Sequence, residues 1–242
     1  MTAWRRFWEG PTPFPDSTWT WQARIFLRGA SEVFPIGSGD SVVDIGCGSG
    51  ALASLLSAKG IKRYTGLDIS ASALSLAREK LSGRPAFRFE LLGDDPFDFS
   101  PAWPGGYSRL LALSVVQYYR ETSELTRLLQ AMHTLAAPGA ILLVADLPLQ
   151  QNGGVWAETW RTLKRAGELR ALGRQILFIA RCGFSGYRRV RRQAGLLAFD
   201  KTELLILAGE LARTWRAETR LIEEPLTVSE GRVHLWIRLP PA

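Results

Sequence analysis

Val42-Val43-Asp44-Ile45-Gly46-Cys47-Gly48-Ser49-Gly50 decides the fold class: a β-branched run reaches an acid, turns through three alternating glycines and continues into the apolar segment Ala51-Leu52-Ala53-Ser54-Leu55-Leu56. A strand, a tight loop and a helix follow from that order. Glycine tolerates positive φ and has no Cβ, so the backbone folds sharply and comes close to a ligand. The next helix begins with its free N–H groups facing the same space. This is the pattern of a nucleotide-cofactor loop. Asp44 narrows the choice of ligand. A loop built for a pyrophosphate gains from bare N–H groups and nothing negative, whereas a carboxylate two residues before the first glycine suits an ammonium or hydroxyl donor. S-adenosylmethionine carries such an ammonium.

Downstream, strand and helix signals alternate. Ala51 to Lys59 reads as a helix, Arg63 to Ile69 as a second strand, Ser70 as the cap of a helix to Leu81, and Ala86 to Leu91 as a third strand. Leu110 to Val116 is a fourth strand, Glu121 to Ala136 an amphipathic helix ending near Pro138-Gly139, and Ala140 to Ala145 an apolar fifth strand. Such alternation needs crossover connections and predicts an α/β fold, a doubly wound, mostly parallel Rossmann-like sheet. Two alternating runs, Thr219 to Thr227 and Arg232 to Leu239, flank Ser229-Glu230-Gly231 and predict a terminal antiparallel hairpin. Upstream, Thr18 to Phe34 has helical spacing, while Trp4 to Pro15 is rich in Trp, Phe and Pro without a period. That arm reads as a flap over the cofactor, a membrane-surface foot or a disordered segment. The expected organisation is an aromatic arm and helix over 1–40, a cofactor-binding core over 41–147, a basic helical insertion over 148–197, and a C-terminal helix and hairpin over 198–242. Within the insertion Val155 to Ile179 looks helical, and Asp200 is placed to cap Lys201 to Trp215.

Composition bounds the rest. In 242 residues, 46% hydrophobic and 22% charged, no window approaches the ~18 uninterrupted apolar residues of a spanning helix. The first 14 residues lack a continuous apolar region, so a secretory leader is not expected and a cytoplasmic location is. Cys47 and Cys182 have no C-x-x-C partner and only two histidines occur, which indicates neither a disulfide framework nor a protein-bound metal. The formal charge of +7 is localised: Pro148 to Leu197 holds ten Arg and Lys against Glu158 and Glu168, leaving −1 for the remainder.

Asp68 ends the second strand 18 residues beyond Gly50, the spacing of a carboxylate that accepts from both ribose hydroxyls. Gly93-Asp94-Asp95 follows the third strand, where an acid and a backbone N–H can read the adenine amino edge, although Asp-Asp before Pro96 is also ordinary turn chemistry. With Leu67-Asp68-Ile69 and Leu113-Ser114-Val115-Val116-Gln117-Tyr118, these segments resemble the ordered motifs of the class I S-adenosylmethionine-dependent methyltransferases over about Ser41 to Leu147, and the terminal hairpin resembles that family's sixth and seventh strands. The resemblance implies a seven-stranded sheet and a cofactor set of Asp44, Gly46, Cys47, Gly48 and Gly50 at the methionine moiety, Asp68 and Ile69 at the ribose, Asp94 and Asp95 at the adenine, and Ser114 after the fourth strand. It departs from the family at Ser108, where many members have Asp.

Methyl transfer from a sulfonium is an in-line displacement with an activated leaving group, so positioning dominates. Absence of an obvious catalytic His is therefore no obstacle; His133 and His234 read as structural or surface residues. Tyr118 and Tyr119 stand where an acceptor would sit and are the candidates for substrate contact and catalysis. Trp156, Trp160 and Arg161 in the insertion are further substrate candidates, with Phe178, and Arg188, Arg189, Arg191 and Arg192 form the densest basic cluster. No Asn-Pro-Pro-Tyr or Asp-Pro-Pro-Tyr tetrad follows the fourth strand, which argues against methylation of exocyclic base amines. The leading expectation is a methyltransferase for a small-molecule or glycan-type acceptor, an anionic one being the sharper form. RNA or protein methylation through the basic cluster is the second reading, with peripheral contact to lipid headgroups also open. A nicotinamide oxidoreductase, from the loose G-x-G-x-x-A of Gly46, Gly48 and Ala51, and a non-catalytic cofactor-binding partner complete the set.

Overall fold

The computed structural model describes residues 3–10, 14, 16–150, 186–227 and 231–242. The strands are β1 (Ser41–Ile45), β2 (Arg63–Asp68), β3 (Phe87–Leu91), β4 (Tyr107–Leu113), β5 (Ala136–Pro148), β6 (Glu218–Ile222) and β7 (Arg232–Arg238). They form one seven-stranded sheet in the order β3-β2-β1-β4-β5-β7-β6. The pairings from β3 through β5 are parallel, and β7 runs antiparallel to both β5 and β6. The described helices are α1 (Ala3–Glu9), α2 (Asp16–Gly29), α3 (Ala51–Leu56), α4 (Ala71–Lys80), α5 (Ser123–Leu135), α6 (Gly186–Ala194) and α7 (Lys201–Trp215).

Both faces of the sheet are covered, which is why its central strands read as continuous apolar runs rather than alternating ones. Successive residues still face opposite sides. Val43, Ile45, Leu142 and Val144 join one core with Leu125, Leu128, Leu129 and Met132 of α5 and Leu204 and Leu211 of α7. Val42, Leu111, Ile141 and Leu143 join the other with Phe26 of α2, Leu52 and Leu56 of α3, and Leu74 of α4. Each of these buried aliphatic side chains contributes about 1.5–3 kcal/mol by leaving water. Ser70 caps α4 by accepting from Ala73 N at 3.3 Å, and Asp200 caps α7 by accepting from Thr202 N at 2.7 Å, as the sequence indicates.

Several boundaries differ from expectation. β4 starts at Tyr107, three residues early, because its polar start is held to neighbouring elements. Ser108 Oγ accepts from Ser41 N at 3.0 Å and donates to Asp40 Oδ1 at 2.8 Å, while Arg109 donates to the Pro35 carbonyl at 2.6 Å. β5 extends from Ala136 to Pro148, since Ala136 pairs with Tyr107 at one end and Leu147 and Pro148 pair with Val233 and Arg232 at the other. α3 closes at Leu56 instead of Lys59, and α2 at Gly29 instead of Phe34. Helices α1 and α6 arise where no periodicity was evident. The expected helix Val155 to Ile179 lies outside the described residues.

Candidate functional site

Strand order reverses between β1 and β4. The chain leaves β1 toward α3 on one face and leaves β4 toward α5 on the other, so a crevice opens at their carboxyl ends, where open α/β sheets bind ligands. Gly46 N and Cys47 N both donate to the Leu67 carbonyl of β2, at 2.7 and 3.1 Å, fixing the glycine loop over that crevice. Asp68 completes the hold: its Oδ2 accepts from Gly48 N and its Oδ1 from Ser70 N, each at 2.8 Å. Asp44, 4% exposed, accepts through Oδ2 from the Tyr64 hydroxyl at 2.6 Å.

Two buried carboxylates thus share one short stretch of sheet edge, and among the described residues neither forms an ion pair. Burial pushes the Asp44 carboxyl up to about 7; the Tyr64 hydroxyl opposes that shift and the Asp68 charge adds to it. Burial likewise raises Asp68, against the pull of the Ser70, Gly48 and Ile69 amides. Beside them the buried Cys47 thiol is raised, first by burial and then by both acids, so it is a neutral packing group. The chemistry of this donor set favours a cation.

The glycines show where a ligand has room. At Gly48, with φ +55°, an added Cβ would meet no protein atom within 4 Å, so that backbone face opens on the crevice. Gly46 has φ +76°, and a Cβ there would overlap Val115 Cγ2, because the loops after β1 and β4 nearly touch at the switch point. Gly46→Ala should therefore lose roughly 1–2 kcal/mol from the left-handed backbone and a further ~1–3 kcal/mol from overpacking. Thermal denaturation checks this: adding Val115→Ala should restore only the packing part, leaving the backbone part.

The remaining sequence candidates divide. Ile69 is partly buried against the core beneath the site. The Gly93 and Asp94 carbonyls lie beside the crevice and accept from Arg5 of α1 at 2.7 and 2.9 Å. The Asp95 carboxylate accepts from Phe97 N at 3.0 Å within its own turn and pairs with Arg127 at 3.0 Å. Ser114, at the end of β4, has φ 58° and donates to Asp146 Oδ2 at 2.7 Å. The tyrosines part company. Tyr119 packs edge-on against Phe97 and the core below α5, whereas Tyr118 faces the rings of Trp4 and Trp8 at 4.8 and 5.3 Å. Burial raises both phenols, and for Tyr118 the neighbouring Tyr187 of α6 adds to the rise. Trp156, Trp160, Arg161 and Phe178 lie outside the described residues. Arg188, Arg189, Arg191 and Arg192 are exposed on α6, whose Tyr187 packs against Trp4 and Phe7. His133 stacks on Trp215, and His234 is fully buried, its Nδ1 accepting from Asp146 N at 3.0 Å; burial holds its imidazole down at about 4.

Other residues of the site carry no sequence motif. Asp146, with φ 71° at the end of β5, accepts from Ser114 and from Thr227 Oγ1 at 3.0 Å, and Arg232 bridges its backbone carbonyl at 3.3 Å to Gln117 Oε1 at 3.1 Å. Two non-glycine residues in left-handed conformation, bonded to each other on adjacent strands, hold backbone strain at the carboxyl edge of the sheet. Asp16 accepts from Ser49 Oγ of the glycine loop at 2.6 Å and from Lys80, and Trp4 Nε1 donates to the Gly195 carbonyl at 2.8 Å. Non-glycine left-handed backbone and contacts across the whole chain leave no local pattern to read.

Residues 43–142 match the family described as a methyltransferase domain. The chain carries a methyltransferase domain, with S-adenosylmethionine as its cofactor. Solved structures agree on the fold. The N-methyltransferase NodS from Bradyrhizobium japonicum WM9 superposes with a TM-score of 0.56 at 16% identity, covering 93% of this chain and 97% of that one. Magnesium protoporphyrin IX methyltransferase from Synechocystis PCC 6803, solved with bound S-adenosylhomocysteine, gives 0.54 at 17% over 99% and 93%. A methyltransferase in complex with the Haloferax volcanii Trm112 activator gives 0.56 at 18% over 94% and 93%. No curated protein matches the sequence. The nicotinamide reading of the glycine loop falls with the methyltransferase domain match.

Proposed function

We propose that this methyltransferase acts on a small-molecule or glycan-type acceptor, an anionic one by preference, admitted beneath an aromatic roof. One observation carries the reading: α1 lies across the crevice, with Arg5 on the Gly93 and Asp94 carbonyls, Trp4 on Gly195, and Trp4 and Trp8 over Tyr118. A roof so tied favours a compact acceptor over a large one. Trp8 Nε1 is buried without a hydrogen-bond partner among the described residues, a donor that an acceptor oxygen would satisfy.

Within this reading the Gly46–Gly50 loop and Asp44 hold the methionine part of the cofactor, Asp68 and Ile69 the ribose, and Asp94 with Asp95 the adenine side. S-adenosylmethionine supplies an electrophilic methyl group on a sulfonium. The protein's part is orientation and exclusion of water: Asp44 receives the ammonium, Ser114 and Asp146 set the floor after β4 and β5, and Tyr118 and the α1 aromatics confine the acceptor. Trp156, Trp160 and Arg161 of the insertion are kept as acceptor candidates on their sequence alone, and the exposed arginines of α6 would draw an anionic acceptor toward the protein.

The α6 arginines also support RNA or protein methylation as the second reading. Release of S-adenosylhomocysteine, measured across compact anionic acceptors, glycans and RNA, separates the two. Turnover on a compact acceptor, lowered at least tenfold by Trp4→Ala, is the expected result. Turnover on RNA alone, falling steeply with added salt, would replace it.

A further inference from the structure

Tyr64 belongs to none of the cofactor motifs, yet its side chain reaches into the cofactor site. It sits on β2 in register with Val42, is 0% exposed, and stacks on Phe87 with ring centroids 5.4 Å apart. Phe89 closes a second side of the ring at 5.8 Å. The hydroxyl at the end of this immobilised ring donates to Asp44 Oδ2 at 2.6 Å. A buried phenol gains from a charge-assisted partner, and a buried carboxylate gains from a donor that holds one oxygen in place.

We propose that Tyr64 is a positioning residue for the cofactor: its hydroxyl, at the end of a ring held against Phe87 and Phe89, fixes Oδ2 of Asp44 and orients that carboxyl group toward the ammonium of S-adenosylmethionine. This rests on the assignment of Asp44 to that ammonium. The surroundings of Asp44 leave Tyr64 as its stabilising neighbour. From β2 come Tyr64 and the like charge of Asp68; the glycine loop brings the Cys47 thiol; the β4 residue in register is the apolar Leu111. From α4, Arg78 acts on Cys47 and is bound to the Phe89 carbonyl. Burial and Asp68 both raise Asp44, and the Tyr64 hydrogen bond is what lowers it. Without the hydroxyl, Asp44 is protonated over a wider pH range and meets an ammonium as a neutral acid.

The test is calorimetric titration of the full chain with S-adenosylmethionine between about pH 5.5 and about 7.5, below the ordinary range of an α-amino group. For the unmodified protein, affinity should rise with pH through about 7, where Asp44 ionises. Tyr64→Phe, which keeps the ring and its stacking, should move that rise upward by about one pH unit and weaken binding roughly tenfold at neutral pH. Phe87→Leu, which disturbs the same packing without touching the hydroxyl, should leave the position of the rise unchanged. Equal weakening at every pH in Tyr64→Phe would reduce Tyr64 to a packing residue and overturn the proposal, as would an unchanged profile. Absence of cofactor binding by the unmodified chain at every pH would overturn the cofactor assignment itself, and the role of Tyr64 with it.

Discussion

Asp68→Ala is expected to weaken S-adenosylmethionine binding at least a hundredfold and to destabilise the ligand-free protein by about 2–4 kcal/mol. Both effects come from one carboxylate with two tasks. It satisfies the Gly48 and Ser70 amides, each at 2.8 Å, and alanine leaves both donors without an acceptor at a cost of about 1–3 kcal/mol each where water cannot reach them. The glycine loop then keeps only its bonds to Leu67, and the edge assigned to the ribose loses its acceptor. Asp68→Asn separates the tasks. One amide oxygen still serves one of the two donors, so stability should fall less than in Asp68→Ala, while the charged ribose acceptor is gone in both. Calorimetric titration and thermal denaturation of the two variants provide the check; cofactor affinity unchanged in Asp68→Ala would remove the residue from the site.

Asp44→Asn should have the opposite effect on stability, raising the melting temperature of the ligand-free protein at about pH 8 while weakening cofactor binding. Burial, opposed by Tyr64 and reinforced by Asp68, raises this carboxyl from the ordinary carboxylate range to about 7. The folded state therefore binds the proton more tightly than the unfolded chain does. The stability that Asp44 contributes is complete below about pH 4 and is lost as the pH rises through about 7. A shift of about three units corresponds to at most about 4 kcal/mol. Asparagine, which never ionises, should recover much of that above pH 7 and almost none near pH 4, a gain on the order of 5 °C in a chain of this size. Melting curves at the two pH values test the sign: equal shifts at both would mean that the charge of Asp44 is not what destabilises the empty site. In the unmodified protein, stabilisation by S-adenosylmethionine should correspondingly be larger near pH 7.5 than near pH 5.5, since an ionised Asp44 gains most from the ammonium.

The sheet was legible in the sequence because its central strands are short β-branched or leucine-rich runs bounded by Gly, Ser and Asp, and because Ser70 and Asp200 announce their helices. The glycine loop was legible for a stronger reason: Gly46 and Gly48 take positive φ, which few other residues adopt, so chemistry and geometry are written in the same letters. Where the structure departs, the determining contact is distant in sequence. β4 begins at polar residues because Asp40 and Pro35 receive them. α1 forms from a segment without an apolar stripe because its aromatic residues pack against Tyr118 and Tyr187. Helix α6 hides behind its arginines, its one large packing residue, Tyr187, carrying no period of its own. Tyr64, Asp146 and Arg232 had no local signal, since each acts through a partner on another strand or at the start of a loop.

The bond from Trp4 to Gly195 spans 191 positions. Helix α1 can set Trp8 on the nearby rings of Phe14 and Trp19 at once, but its contacts with Tyr118 and with the Gly195 carbonyl wait for segments made much later. The strands and helices from β1 to β4 can meanwhile assemble around the glycine loop, since domains fold from contacts as these become available. In that order the glycine loop should assemble before the α1 roof is tied to Gly195, so the roof is the part of the site that depends most on the fold as a whole.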